Sequence, residues 1–186
     1  MIRLVEDIIQ LSSLDEAAVP LERETVDLYD LADACLANLQ PVAAKQHVTL
    51  QLSGTHETVR GVWQILNEMV YNLCDNAIAY NRNGGHVKLT AERVGRGARV
   101  VVEDNGVGIA RDQQERVFER FYRVESTRAA YAQGTGLGLP LVSSIVASVD
   151  GKIGLESDLG EGSTFTVVLP ATNQKTEMAA AEKKER

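Results

Sequence analysis

The sequence predicts an α+β fold in which helices cover one face of a mixed, mostly antiparallel β-sheet. Strand and helix patterns alternate irregularly along the 186 residues, without the repeated βαβ order of a parallel sheet. Two antiparallel hairpins come late in the chain, one turning at residues 95–97 and one pairing residues 152–157 with 164–169. These observations favour a two-layer α/β sandwich over a doubly wound parallel sheet.

The chain divides into four segments. Residues 1–14 carry an apolar stripe at helical spacing, which predicts the end of a helix that packs on another element. Residues 15–24 are acidic and contain a proline, which is typical of a linker. Residues 25–170 form the main domain, and the mixed-charge, alanine-rich residues 171–186 are expected to be disordered.

The main domain begins with an alternation at Val26 and Leu28, which predicts a short strand. A helix follows, which Pro41 is expected to end or kink. Its inward residues are predicted to be Leu31, Cys35, Leu39 and Val42. A second strand is predicted from Val48, Leu50 and Leu52. Residues 62–81 predict a long helix, because apolar residues recur at spacings of three and four. Its buried stripe is Val62, Ile65, Leu66, Met69, Leu73 and Ala77.

The second half of the domain continues with strands and short helices. A turn at residues 83–85 leads into a strand whose hairpin partner is residues 99–103. Residues 112–121 predict a short helix, and residues 125–133 are polar and irregular. Residues 138–149 predict another helix before the last hairpin.

The composition is that of an ordinary soluble globular protein with one well-buried core, since 44% of residues are hydrophobic and 24% are charged. No apolar run approaches the ~20 residues that cross a bilayer. A net charge of −7 argues against nucleic acid as the main partner. Cys35 and Cys74 lie in apolar helical patterns without CxxC spacing, so we expect buried thiols in a reducing compartment.

The long helix carries polar residues on one face, because Glu68, Asn72 and Asn76 recur every four residues. An asparagine can contact a metal that is already bridged to phosphates without adding charge. A glutamate in the same row can orient or deprotonate a nucleophile. The plainer interpretation of this pattern is a solvated helix face.

Asp104 ends an apolar strand and is followed by Gly106 and Gly108. Glycine lets a ligand approach the main chain closely. An aspartate at this point can accept a hydrogen bond from the exocyclic amine of adenine, whereas the carbonyl oxygen of guanine would be repelled. A simple turn after a strand remains the alternative.

Residues 134–139 form a glycine-rich loop that runs directly into a helical pattern. The unpaired N–H groups of a helix start suit a polyphosphate. No Gly-Lys-Ser/Thr follows and no strand directly precedes the loop, which excludes a P-loop and disfavours a dinucleotide site. A flexible linker is the alternative, although leucines at three nearby positions are unusual for one: Leu137, Leu139 and Leu141.

Residues 117–123 place aromatic residues and arginines between the two glycine motifs. The aromatic residues could anchor one end of a mobile flap. On closure, Arg120, Arg123 and Arg128 could then reach phosphate oxygens. An amphipathic surface helix would explain the same pattern.

Together these segments resemble the catalytic and ATP-binding domain of bacterial two-component sensor histidine kinases. Residues 68–81 resemble the N box, 104–109 the first glycine box, and 117–123 the phenylalanine box that distinguishes the kinases from their superfamily relatives. Residues 134–141 resemble the second glycine box, and 160–165 the glycine-threonine hairpin. The resemblance covers nearly the whole main domain and implies the Bergerat ATP-binding fold, with ATP and Mg²⁺ as cofactors.

The resemblance also implies a role for individual residues. Asn76 would hold Mg²⁺ against the phosphates with Asn72 in support, and Glu68 would act on the incoming nucleophile. Asp104 would recognise adenine, with Gly108 beneath the ring and the Thr164 hydroxyl assisting. The implied ATP-binding residues are Asn72, Asn76, Tyr80, Asp104, Gly106, Gly108, Ile109, Phe121, Arg123, Gly134, Thr135, Gly136, Leu137, Gly138, Leu139 and Thr164.

The implied reaction is phosphoryl transfer from Mg·ATP to a histidine of a dimerisation and phosphoacceptor domain, and then to the aspartate of a response regulator receiver domain. Residues 1–14 resemble the end of that domain's second helix. None of the three histidines fits the acceptor pattern of a helical histidine followed by an acidic residue: His47, His56 and His86. We therefore expect a fragment of a homodimeric kinase, from the cytoplasmic portion of a membrane-anchored sensor.

One residue departs from the family pattern. Ala79 stands where most family members place Lys or Arg against phosphate. A charge-assisted contact of that kind contributes about 1.5–3 kcal/mol, so its loss would weaken nucleotide binding unless Arg82 or the flap arginines compensate. Two alternatives stay open: an ATP hydrolase of the same superfamily, in which Glu68 activates water, and a nucleotide-binding or partner-binding module without chemistry.

Overall fold

The computed structural model describes residues 22–124 and 135–170. The predictions for residues 1–14, for most of the linker, for the C-terminal tail, and for Arg128 and Gly134 lie outside these ranges. The described helices and strands are, in chain order, β1 (Glu24–Asp27), α1 (Leu28–Lys45), β2 (Thr49–Gly54), β3 (Thr58–Gly61), α2 (Trp63–Ala79), β4 (His86–Val94), β5 (Gly97–Asp104), α3 (Gly138–Ser148), β6 (Lys152–Asp158) and β7 (Gly162–Pro170).

Five strands form the main sheet in the order β2-β4-β5-β7-β6. β2 and β4 are parallel, and the other neighbours are antiparallel, so the sheet is mixed and mostly antiparallel as predicted. Both late hairpins, β4–β5 and β6–β7, are present. β1 and β3 form a separate two-stranded antiparallel sheet.

The three helices pack side by side against the main sheet. α2 lies between α1 and α3, and all three contact strands of the sheet. Alternate residues of β5 and β7 are fully buried, whereas the residues between them are only partly covered. The helices therefore cover one face, and the predicted α+β sandwich is confirmed. No helix among the described residues is long and apolar enough to cross a membrane.

The core lies between the helices and this face of the sheet. Cys35 on α1 and Cys74 on α2 are buried free thiols, as predicted. A hydrogen bond with Cys35 and the burial of Cys74 itself raise the pKa of the Cys74 thiol well above its ordinary value. Cys74 is therefore a neutral thiol of the core at physiological pH.

The start and the end of α1 differ from the sequence prediction. Leu28 begins the helix instead of continuing a strand, because the Asp27 carboxylate caps it by accepting hydrogen bonds from the N–H groups of Tyr29 and Asp30. Pro41 does not end the helix, which continues to Lys45. Val42 is 38% exposed, so its predicted inward position was wrong, and Ala43 is buried instead. Burial on either side of Pro41 outweighs the cost of about 3 kcal/mol that proline imposes on a helix.

Two further predictions were incomplete or wrong. Val62 and Ile65 were predicted to be buried but are only partly buried, because Val62 precedes α2 and both lie near its exposed start. Further along, α2 buries a wider stripe than predicted, because neighbouring helices cover it on both sides; the additional buried residues are Val70, Asn72, Cys74 and Ile78. Residues 112–121 do not form one helix but two single 3₁₀ turns, Arg111–Gln113 and Arg116–Phe118. Glu119 is extended, and the Phe118 ring packs edge-on against Phe165 at 6.4 Å between centroids. Tertiary contacts therefore override the local helical pattern.

Candidate functional site

The polar face of α2 is partly covered and internally hydrogen-bonded. Asn72 is 9% exposed, and its side-chain amide donates to the Glu68 backbone oxygen and to Glu68 Oε1, both at 2.9 Å. Asn76 lies one turn further and is half-buried. The three side chains share one face as predicted, and Asn72 fixes the orientation of the Glu68 carboxylate.

The first residue of α3 lies directly on this face. A Cβ atom added at Gly138 would be 3.0 Å from Asn72 Oδ1 and 3.6 Å from Asn76 Nδ2. The first turn of a helix leaves N–H groups without intrahelical partners, so backbone donors meet side-chain amides here. Leu137 is 1% exposed and Leu139 packs against the core, which anchors this segment and contradicts the flexible-linker alternative.

The residues on either side of segment 125–134 meet each other. The Phe121 N–H donates to the Gly136 carbonyl oxygen at 2.9 Å. Both residues have positive φ, 66° for Phe121 and 73° for Gly136, and a Cβ atom at Gly136 would lie 3.0 Å from Phe121 Cα. The Thr135 hydroxyl accepts a bond from the Leu137 N–H at 3.3 Å. Phe121 is 61% exposed and Arg123 is half-buried beside it.

Asp104 is a half-buried carboxylate at the end of β5. Its Oδ1 accepts a hydrogen bond from the Gly106 N–H at 2.8 Å. Burial raises the pKa of the carboxyl above its ordinary value, and the bonds from the backbone N–H groups of Gly106 and Ser163 offset only part of that rise. A carboxylate has about four acceptor positions, so Asp104 retains capacity for a further donor.

The glycine turn after Asp104 is held between two neighbouring segments. A Cβ atom at Gly106 would collide with the Tyr80 carbonyl oxygen, which also accepts a bond from the Val107 N–H at 3.1 Å. Gly108 has φ 66°, and a Cβ atom there would collide with the carbonyl oxygen of Asp158. Both positions therefore require glycine, and the predicted residue Tyr80 acts on the turn through its backbone.

Thr164 does not lie with the other predicted residues. In the β5–β7 pairing, Ser163 stands opposite Asp104 and Thr164 stands opposite Glu103. Since successive residues of a strand point to opposite faces, the Thr164 side chain lies on the face away from Asp104. Ser163 takes the place expected for Thr164, and the alternation with buried Phe165 was the sequence signal for it.

A polar network beneath the glycine turn was not predicted from the sequence. The Ile109 N–H donates to Ser157 Oγ at 2.8 Å, and this hydroxyl lies 2.8 Å from the Gly162 oxygen and 2.9 Å from Ser163 Oγ. Gln114 Nε2 donates to the backbone oxygens of Ile109 and Ser157 at 3.0 and 2.7 Å. Serine and glutamine are common surface residues, so only the fold reveals this role.

Two asparagine side chains that were not predicted from the sequence join the end of α2 to the sheet. The buried Asn81 side chain donates to the backbone oxygens of Ala77 and His86, both at 3.0 Å. Asn105 Oδ1 accepts a bond from the His86 N–H at 2.7 Å. The Asn81 and Asn105 side chains therefore fix the C-terminal end of α2 relative to the turn that follows Asp104.

The three histidines lie away from helices. His47 follows α1 with φ 56°, and His86 is the first residue of β4. His56 lies between β2 and β3, and its Nδ1 is 3.1 Å from Asp27 Oδ2. None of the three lies within a helix, which agrees with the expectation that none fits the acceptor pattern.

In this α+β domain a helix face of amides and a carboxylate meets a glycine-rich helix start, and the half-buried Asp104 ends the strand β5. This combination is typical of a nucleotide-binding domain. The model of the family described as histidine kinase-, DNA gyrase B-, and HSP90-like ATPase matches residues 61–173. The chain belongs to this family.

Named relatives are sensor histidine kinases. The chain is 36% identical over 168 residues to the sensor-like histidine kinase SenX3 of Mycolicibacterium smegmatis, covering 90% of this chain and 44% of the relative. It is 37% identical over 170 residues to the sensor histidine kinase RppB of Synechocystis, covering 90% and 37%. Full-length ShkA, solved in complex with AMPPNP, matches with a TM-score of 0.80 and 28% identity, covering 91% of this chain and 35% of that one. The chain thus spans less than half the length of these relatives.

Proposed function

We propose that this chain is the catalytic, ATP-binding domain of a two-component sensor histidine kinase. It binds Mg·ATP, and an imidazole nitrogen of a dimerisation and phosphoacceptor domain attacks the γ-phosphorus as the bond to the ADP oxygen breaks. The aspartate of a response regulator then receives the phosphoryl group. The observation that carries the proposal is the close packing of Gly138 on the amide face of α2: a Cβ atom added at Gly138 would lie 3.0 Å from Asn72 Oδ1. The glycine loop and the asparagines are therefore neighbours.

Asp104 recognises the base. Its half-buried carboxylate already accepts a bond from Gly106 and has capacity for the exocyclic amine of adenine. Guanine has a carbonyl oxygen at that position, which a carboxylate repels. The ring would lie over the main chain of the turn at Gly108, which the close contact with the Asp158 carbonyl oxygen holds in place, and Ser163 stands opposite Asp104 on β7.

The start of α3 and the asparagines hold the polyphosphate. Backbone N–H groups of the first helical turn donate to phosphate oxygens, and the helix dipole favours their charge. The amide oxygens of Asn76 and Asn72 are hard, uncharged donors of the kind that Mg²⁺ accepts, so the residues present fit this ion. Bound there, Mg²⁺ would neutralise charge on the phosphates.

Glu68 orients the incoming imidazole. Asn72 donates to Glu68 Oε1 at 2.9 Å, which holds the carboxylate on the face that meets the glycine loop. The carboxylate can then accept the N–H proton of the attacking ring. Position and charge stabilisation supply most of the acceleration in phosphoryl transfer.

The acceptor histidine comes from another domain. None of the three histidines of this chain lies on a helix, so we expect it to bind ATP without labelling itself. Incubation with γ-labelled ATP, with and without a dimerisation domain added in trans, tests this directly. Label on the added domain alone supports the proposal, and label on His47, His56 or His86 contradicts it.

The ATP hydrolase and the module without chemistry give different results. Rapid ATP turnover by the chain alone would favour the hydrolase, in which Glu68 activates water. Ala79 favours a module without chemistry, because it removes a phosphate contact. Titration of a fluorescent ATP analogue with and without Mg²⁺ distinguishes the module without chemistry from the kinase, since a kinase site binds the analogue more tightly with the ion.

A further inference from the structure

The polar network beneath the glycine turn is separate from the residues proposed to hold phosphate. It lies below Gly108 and Ile109, on the side of the turn that faces the β6–β7 hairpin. We propose that Ser157 and Gln114 are positioning residues that hold this turn in the register that lets Asp104 accept the adenine amine. This inference rests on the proposed function and adds a determinant of base selectivity to the same site.

The Ser157 hydroxyl joins three segments at one point. It accepts the Ile109 N–H at 2.8 Å, which fixes the far end of the turn that Asp104 begins. It lies 2.8 Å from the Gly162 carbonyl oxygen and 2.9 Å from Ser163 Oγ, at the start of β7. Ser163 in turn stands directly opposite Asp104 in the β5–β7 pairing. One hydroxyl therefore connects both ends of the Asp104 environment.

Gln114 closes the same connection from the other side. Its Nε2 donates to the Ile109 oxygen at 3.0 Å and to the Ser157 oxygen at 2.7 Å, so both amide protons are used. Ile109 is thereby held through its N–H and through its carbonyl. Gln114 precedes the 3₁₀ turn Arg116–Phe118, and the Phe118 ring packs on Phe165 of β7. Gln114 thus links the glycine turn to the 3₁₀ turn that contains Phe118.

A directional hydrogen bond depends on position more than a stacking contact does. Loosening the turn should therefore reduce binding of ATP, which donates its amine to Asp104, more than binding of inosine triphosphate, which has a carbonyl oxygen there. A residue that only stabilised the fold would lower the affinity for both nucleotides by the same factor. The ratio of the two dissociation constants distinguishes these cases.

The experiment measures ATP and inosine triphosphate binding by titration for the full chain and four variants. We expect Ser157→Ala and Gln114→Leu to raise the Kd for ATP about threefold to tenfold, as for one lost hydrogen bond, and to lower the selectivity for ATP. Ser157→Thr keeps the hydroxyl and should retain near-normal selectivity. Ser53→Ala is the matched control, because Ser53 Oγ also bonds between strands, 2.9 Å from Thr90 Oγ1, at the opposite edge of the sheet.

Amide hydrogen exchange reports the connection without nucleotide. In Ser157→Ala the Ile109 N–H loses its acceptor, so its exchange should accelerate, whereas Ser53→Ala should leave it unchanged. An unchanged exchange rate of the Ile109 N–H, or an equal loss of affinity for ATP and for inosine triphosphate, would overturn the inference. If Ser157→Ala does not fold, Gln114→Leu tests whether loosening the turn lowers the selectivity for ATP. Ser157→Thr then tests whether the hydroxyl alone is enough to keep that selectivity. A wild-type chain that binds neither nucleotide refutes the proposed function instead, and the exchange result still decides whether the turn is held.

Discussion

Replacing Asp104 by asparagine changes one oxygen into an amide group at the proposed base site. In the wild-type chain, Asp104 Oδ1 accepts the Gly106 N–H at 2.8 Å. The asparagine oxygen can keep this backbone donor, which leaves its NH₂ group as the one available to the base. A donor would then face the adenine amine, which is also a donor.

The expected loss follows from that exchange. A hydrogen bond to a charged group contributes about 1.5–3 kcal/mol, so Asp104→Asn should raise the Kd for ATP about 10- to 150-fold. Binding of GTP should weaken less or improve, because an amide donor suits the carbonyl oxygen of guanine. The discrimination between the two purines should therefore shrink or reverse.

The stability of the nucleotide-free protein should move in the opposite direction. Burial holds the pKa of Asp104 above its ordinary value, so the folded state binds this proton more tightly than the unfolded state. Its contribution to stability is present below the unfolded pKa and is lost as pH rises through the folded pKa. At neutral pH the ionised Asp104 destabilises the fold, and Asp104→Asn should leave the Tm unchanged or raise it.

Calorimetric titration and thermal melts of the same preparations check both parts. Glu103→Gln is the matched control, because it makes the same chemical change on the adjacent, exposed residue of β5. Unaltered ATP affinity in Asp104→Asn, or a Tm lowered in step with affinity, would refute the assignment of a base-reading carboxylate.

Three further predictions address the remaining parts of the site. Ala79→Lys should restore a phosphate contact and tighten ATP binding about 10- to 150-fold, and an unchanged Kd in titration would mean that the α2 end does not face phosphate. Glu68→Gln should preserve ATP binding but slow transfer to an added phosphoacceptor domain about 10²- to 10⁴-fold, measured by label incorporation. Gly108→Ala should lower the free energy of unfolding by more than Gly84→Ala in denaturant titrations; both have positive φ, but only at Gly108 would the Cβ collide with Asp158.

Much of the fold could be predicted because its patterns are local. The stripe of α2 and the alternation of β4 to β7 appear in the sequence as periods of three to four and of two. Pro41 and Val42 misled the prediction because packing on both sides of the proline keeps the helix intact. Residues 112–121 did the same because contacts of Gln114 and Phe118 with distant strands decide their conformation.

In the candidate site, too, the features set by local spacing could be predicted, whereas those set by contacts between distant segments could not. Glu68, Asn72 and Asn76 could be placed on one face from spacing alone, since a helix fixes their relation. Alternation with Phe165 indicates that Ser163 and not Thr164 faces the core, but only the register of β7 against β5, two segments about 60 residues apart, places Ser163 opposite Asp104. The bonds of Ser157 and Gln114 depend on three separate segments and leave no periodic signal.

The bond between Phe121 and Gly136 joins the chain on either side of segment 125–134. A stretch whose two ends are pinned together can gain or lose residues without moving what lies outside it. The entropy of closing such a loop changes slowly, by about 0.6 kcal/mol for each doubling of its length. The length and composition of this segment can therefore change at little cost while the sheet and helices keep their geometry.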